Sequence, residues 1–135
     1  MKAQYAVICE HQRSGQLGTF DMLGLYDRVF APHVPVQHRT LTFVVQFVTD
    51  DETDLGKKEF RVRVRRPTGQ PLFEQHGAFQ VRPEGGSWLA SARIALEFSG
   101  LILPDFGKYM FEVELGGEIV ATHPLTVVQQ AAPAT

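Results

Sequence analysis

The sequence predicts an all-β domain, a two-sheet antiparallel β-sandwich of about eight strands. Three observations carry that expectation. Apolar residues recur at every second position rather than every third or fourth. Glycine, proline and acidic residues cluster into turns at regular intervals. No stretch shows the apolar stripe of an amphipathic helix. A barrel is the alternative way for such strands to close.

The strands are taken in chain order. AQYAVICE (3–10) is an apolar run of strand length. TFDMLGLYDRVF (19–30) is extended, with an interruption expected near Gly24. In 40–49, Leu41, Phe43, Val45 and Phe47 share one face, while Thr42, Val44, Gln46 and Val48 form a mixed face that suits a central strand. In 58–66, Phe60, Val62 and Val64 alternate with Arg61, Arg63 and Arg65. LFEQHGAFQVR (72–82) follows. The interval WLASARIALE (88–97) contains good helix formers, yet Ile94, Leu96 and Phe98 alternate with Arg93, Ala95 and Glu97, so 90–99 is read as a strand. In 107–115, Phe111, Val113 and Leu115 alternate with Glu112 and Glu114, and 118–128 completes the set.

Turn chemistry separates these runs. RPTGQP (66–71) places Pro67 and Gly69 for a tight connection, and LGGE (115–118) is a short-hairpin signal. SGQLG (14–18), RPEGGS (82–87) and the polar loop TDDETDLGKK (49–58) are further breaks. Pro32 and Pro35 make APHVPVQH (31–38) an irregular connection, because proline cannot donate to a sheet ladder.

At 135 residues, one domain is expected, spanning 1–128, with QQAAPAT (129–135) as a disordered tail. The formal net charge of −2 argues against a dedicated nucleic-acid binder or a polybasic membrane anchor. The single cysteine, Cys9, excludes an internal disulfide, and its apolar neighbours Val7 and Ile8 predict a buried thiol. No apolar stretch approaches the roughly 20 residues that a spanning helix needs. With Met1 opening a segment too short and too weakly basic for a secretory signal, the expected location is cytoplasmic.

The segment LPDFGKYMFEV (103–113) carries Asp105, Gly107 and Tyr109 at a strand entrance. It resembles the tyrosine corner of immunoglobulin-like sandwiches, in which a tyrosine bonds back to the backbone just upstream. The resemblance implies an immunoglobulin-like architecture and stops short of an antibody domain. Phe111 stands where the second cysteine would be, and Trp88 is not on the matching strand. Over nearly the whole chain, MKAQYAVICEH, LGLYDRVFAP, RRPTGQPLFE and GKYMFEVELGGE together resemble a family of small uncharacterised bacterial proteins. That resemblance implies a cytoplasmic bacterial protein without an assigned activity, and it carries no functional residue across.

Arg61, Arg63 and Arg65 are the sharpest candidate site. Alternation projects them from one face, roughly 6–7 Å apart, where they could meet an acidic protein partner. The bland reading makes them a solvated face paired with carboxylates such as Glu112 and Glu114. No aromatic residue interleaves with them, so a base-stacking platform is not indicated.

Other candidates are weaker. The acidic loop Asp50, Asp51, Glu52, Asp54 lacks the spacing of an EF-hand. His11, His33, His38, His76 and His123 are scattered, and surface positions are expected for them. There is no G-x-S-x-G elbow, phosphate-cradling glycine loop or H-E-x-x-H. Trp88 is expected to cap one end of the core. The expected role is therefore a non-enzymatic module that binds a protein partner or self-associates, without a cofactor, nucleic acid or membrane. The alternative is a small-molecule or carbohydrate-binding module using loops at one end, with Tyr26, Phe30 or Trp88 in a pocket.

Overall fold

Alternation within strands decides which side chains are buried. The computed structural model describes residues 1–15, 19–83 and 90–130. Nine strands follow one another: β1 Lys2–Ser14, β2 Phe20–Leu25, β3 Arg28–Ala31, β4 Val36–Thr49, β5 Gly56–Arg65, β6 Pro71–Pro83, β7 Ala90–Leu103, β8 Gly107–Leu115 and β9 Glu118–Gln129. A short 3₁₀ turn, Glu52–Asp54, stands between β4 and β5. The WLASARIALE interval is strand from Ala90, because burial of Ile94 and Phe98 at period two overrides the helix propensity of its alanines.

The strands form one sheet, in the order β2-β1-β4-β7-β6-β5-β8-β9-β3. Every pairing is antiparallel except β3 with β9, which is parallel. This corrects the expectation of two antiparallel sheets of about eight strands, for two reasons. First, the run 19–30 is two strands, divided at Tyr26–Asp27 rather than at Gly24. The Tyr26 N–H donates to the Ile8 carbonyl on β1, and the Asp27 carbonyl accepts from Thr126 on β9. Two residues thus carry the chain from one sheet edge to the other. Two residues span at most about 7 Å, so the sheet must curl until its edges meet. Second, β6 and β7 are long enough to reach each other at their ends, through Arg82–Ser91 and Pro83–Ala90, which joins the two halves.

The curl buries its concave face. Phe43 of β4 and Phe98 of β7 meet Phe111 of β8 edge-on, with ring centroids 5.4 and 5.9 Å apart. Phe73 of β6 packs on Phe98 at 5.0 Å, and Phe47 of β4 stacks on Phe79 of β6 at 5.6 Å. Ile8, Leu41, Val45, Val62, Val64, Val113 and Leu125 are among the residues that join them in the core. Each such side chain contributes about 1.5–3 kcal/mol by leaving water.

Turns follow their sequence chemistry. Gly116 and Gly117 have φ of 57° and 85°, which a two-residue hairpin of this hand requires, and they join Leu115 to its partner Glu118. In the Arg66–Gln70 turn, Arg66 N–H donates to the Gln70 carbonyl and Gly69 N–H to the Arg66 carbonyl. The carbonyl of Ala31 accepts from Gln130 N–H at 2.9 Å, and 131–135 of the expected tail lie outside the described residues. Trp88 and the 84–89 turn also lie outside them.

The tyrosine corner is formed. Tyr109 is fully buried; its hydroxyl accepts from Asp105 N–H at 2.8 Å and donates to the Asp105 carbonyl at 3.1 Å. Asp105 in turn takes a two-pronged contact from Arg66, with Nε at 2.8 Å and Nη2 at 3.1 Å. That pair ties the β5–β6 turn to the entrance of β8. Replacing Tyr109 with Phe keeps the ring and removes both backbone contacts. Its unfolding free energy in urea should fall by about 1–2 kcal/mol. An unchanged midpoint and slope would show that the corner does not brace the sheet.

Candidate functional site

The arginine stripe occupies a face and not an edge. β5 is hydrogen-bonded on one side to β6 and on the other to β8. Register places Arg61 opposite His76 and Glu114, and Arg63 opposite Glu74 and Glu112. The charges interdigitate accordingly. Arg61 Nε lies 3.0 Å from Glu74, while Arg63 reaches Glu74 at 3.5 Å and Glu114 at 3.8 Å. Arg65 Nε donates to Glu112 at 2.6 Å and its Nη1 to the Gly69 carbonyl at 3.2 Å. The carboxylates of Glu112 and Glu114 therefore supply the cross-strand partners that their alternation suggested, and Glu74 on β6 adds a third.

These contacts are unequal. Glu112 is 8% exposed, so loss of its guanidinium partner would leave a nearly buried carboxylate without compensation. Arg61 and Glu74 are more open to water, which screens their attraction. Arg65→Ser should therefore lower stability by about 1–3 kcal/mol, and Arg61→Ser by less than about 1 kcal/mol. Urea unfolding of the two variants checks this order, and equal effects would refute it.

Beside the stripe, an open basin of about 650 Å³ is lined by Lys57, Lys58, Arg61, Glu114 and Glu118 over Phe60. Its cations and carboxylates stand close to balance. The acidic loop turns its carboxylates onto the protein's own donors. Asp51 accepts from the backbone and hydroxyl of Thr53 at 2.9 and 2.8 Å. Asp54 receives the Thr49 hydroxyl, the Met1 amino group at 2.9 Å and Lys58 at 3.4 Å. The hydrogen bond from Thr49, with the amino group and Lys58, holds the Asp54 carboxyl down to about 2. Among the described residues, no group of three or more His, Cys, Asp or Glu side chains is placed to hold a metal ion. Cys9 is buried, and burial pushes its thiol pKa up, away from the nucleophilic thiolate.

Two histidines are half-buried where surface positions were expected, and both stand near the seam at which the chain changes edges. Tyr26 Oη lies 2.5 Å from His38 Nε2. A shallow depression of about 350 Å³ is lined by Val7, Ile8, Leu25, Tyr26, Asp27 and His123, and His123 Nδ1 is buried without a hydrogen-bond partner. Phe30 stands outside this depression, and Trp88 lies outside the described residues. Burial holds His38 below its ordinary pKa of 6.5 against the pull of Glu10. Burial likewise lowers His123, against the Pro124 backbone and Asp27. Burial therefore favours the neutral form of both rings in the fold. The unfolded chain takes up these protons more readily, so the stability they contribute is fully present above pH 6.5 and declines as pH falls below it. The melting temperature should drop from pH 7.5 to 5.5, and the double variant His38→Gln, His123→Gln should flatten that slope. A slope that survives both changes would place its origin elsewhere.

Sequence reasoning missed the exposed apolar residues other than Phe30, which it placed in a pocket. Leu23 and Leu25 on β2 are each 59% exposed, Phe30 on β3 is 58% exposed, and Ile102 on β7 is 55% exposed. A signal existed: Leu23 and Leu25 share strand parity with Asp21, and Phe30 with Arg28. β2 and β3 are the two terminal strands of the sheet, so each keeps one unpaired edge. β6 and β7 also diverge beyond their two joined pairs. An apolar cleft of about 360 Å³ opens between them, lined by Phe73, Gln75, Leu96, Phe98 and Leu101.

A model for a family of unknown function, DUF6941, matches residues 4–128. The chain belongs to that family. No curated protein matches it. The DUF6941 match covers all nine strands apart from the ends of β1 and β9, and it assigns no activity to the arginine face, the seam or the cleft. Among the described residues, no helix is long and apolar enough to cross a membrane.

Proposed function

We propose that this protein is a non-enzymatic β-sheet module that acts by binding a protein partner or a second copy of itself. One observation carries the reading: unpaired strand edges lie beside large exposed apolar side chains, Leu23 and Leu25 on β2, Phe30 on β3 and Ile102 on β7. A free edge offers backbone donors and acceptors to an added strand, and apolar neighbours add affinity. Arg61, Arg63 and Arg65 form a polar part of the proposed docking surface, suited to an acidic partner that competes with Glu74, Glu112 and Glu114 for the guanidinium groups. Interleaved Glu74, Glu112 and Glu114 disfavour a nucleic-acid backbone on that face. The immunoglobulin-like relationship and the bacterial, cytoplasmic setting belong to the same proposal. The corner at Asp105–Tyr109 and the lone buried Cys9 support them.

A second reading, a small-molecule or carbohydrate-binding module, is favoured by one observation. The seam depression joins an apolar wall, Val7, Ile8 and Leu25, to the polar groups of Tyr26, Asp27 and His123.

Size-exclusion chromatography with light scattering at low and high salt, with a lysate pull-down, tests the leading reading. The expected result is a dimer or a captured partner. The Arg61, Arg63, Arg65→Ser variant should weaken a partner contact that is salt-sensitive, and Leu23→Ser with Phe30→Ser one that is not. A protein that stays monomeric and captures nothing, yet melts higher with a sugar or small metabolite, would favour the second reading.

A further inference from the structure

The free edge of β7 has a property that the other edges lack. β7 pairs with β4 along its whole length, but among the described residues it pairs with β6 only at Ala90 and Ser91. From Ala92 onward its outer edge has no strand partner among the described residues. The sequence of that edge, ARIALEF (92–98), is complementary to itself when reversed. Antiparallel pairing about Ala95 sets Arg93 opposite Glu97, Ile94 opposite Leu96 and Ala92 opposite Phe98. Directly opposed residues point to the same face. Arg93, Ala95 and Glu97 are exposed on the outer face, and Ile94, Leu96 and Phe98 point into the curl.

We propose that the protein self-associates by pairing β7 with β7 of a second copy, antiparallel and about a two-fold axis through Ala95. This specifies the self-association half of the proposed function and rests on it. Three observations select a second copy as the occupant. Glu97 has no cationic partner among the described residues. Among the described residues Arg93 has no carboxylate partner; its Nε donates to Gln46 at 2.9 Å and its guanidinium lies 3.9 Å over the Phe20 ring. The two-fold pairing gives each charge its opposite twice over. Leu96 is only half-buried at the mouth of the cleft, where the second copy's Ile94 would cover it. Ala95 and its mate are small where the strands cross the axis, so nothing bulky opposes itself there. A two-fold contact uses the same patch on both copies, which is what a self-complementary strand provides. The seven paired residues extend the four-strand half β2-β1-β4-β7 into one sheet shared by two copies.

The test uses the full chain. Ala95→Cys should form a disulfide-linked dimer under mild oxidation, because the two copies of that position face each other on the axis; Thr122→Cys on β9, also exposed, should not. Cys9 is buried and stays silent in both. By light scattering across protein concentration, Glu97→Arg should weaken the dimer about tenfold by opposing like charges at two symmetric positions. The exchanged variant Arg93→Glu, Glu97→Arg should restore it, a rescue that rules out misfolding as the cause. Self-association that ignores Glu97→Arg and gives no Ala95→Cys crosslink would overturn the β7 pairing and leave the broader reading standing. A wild type monomeric at millimolar concentration would overturn both the pairing and self-association, while partner capture in the pull-down would remain a separate result.

Discussion

The contact between Phe111 and its two neighbours, Phe43 and Phe98, is the interaction on which the rest of the structure depends. Phe111 belongs to the half of the sheet that holds β5, β8 and β9; Phe43 and Phe98 belong to the half that holds β1, β4 and β7. Among the described residues, strand pairing joins those halves at two residue pairs, Arg82–Ser91 and Pro83–Ala90. Backbone pairing alone would leave a flexible ribbon with one wet apolar face. Edge-to-face aromatic packing pulls the halves together, and the buried valines and leucines of both follow.

Curling has consequences for charge. Once Val62 and Val64 face Phe111 and its neighbours, Arg61, Arg63 and Arg65 must face water, since alternation permits nothing else. β5 then finds strands on both sides, each presenting its own outward row. Glu74 on β6 and Glu112 and Glu114 on β8 fall between the guanidinium groups, because the same inward packing sets the register of all three strands. The ion-pair lattice is a by-product of core register, and Glu112 is the member of it most deeply committed to the fold.

Closing by side-chain packing rather than by a continuous ladder leaves edges open. At the seam, the Tyr26–Asp27 crossing covers part of the gap between β1 and β9 with backbone hydrogen bonds to both. On the opposite side, β6 and β7 part company and expose an apolar cleft. A sheet with free edges is a surface for pairing with other strands unless something blocks it. Charges on β7 stand at positions where they would attract a reversed copy of the same strand instead of repelling it.

Much of this was legible from residue order alone. The Asp105–Tyr109 contact was legible through its resemblance to a tyrosine corner. Strand positions, the Gly116–Gly117 hairpin and the inward rows of β4, β5, β7 and β8 follow from local alternation and turn chemistry, which act over a few residues. The candidate arginines and their carboxylate partners Glu112 and Glu114 were legible for the same reason. The division of 19–30 at Tyr26–Asp27, the parallel pairing of β3, the joining of β6 to β7, the interior place of β5 and the half-buried seam histidines were not. Each depends on which distant segments become neighbours, and alternation within one strand carries no information about the strand beside it. Sequence by itself determined which face of β4, β5, β7 and β8 is apolar; only the tertiary structure decided which strands lie next to each other, because that choice is made by packing side chains far apart in the chain around Phe111.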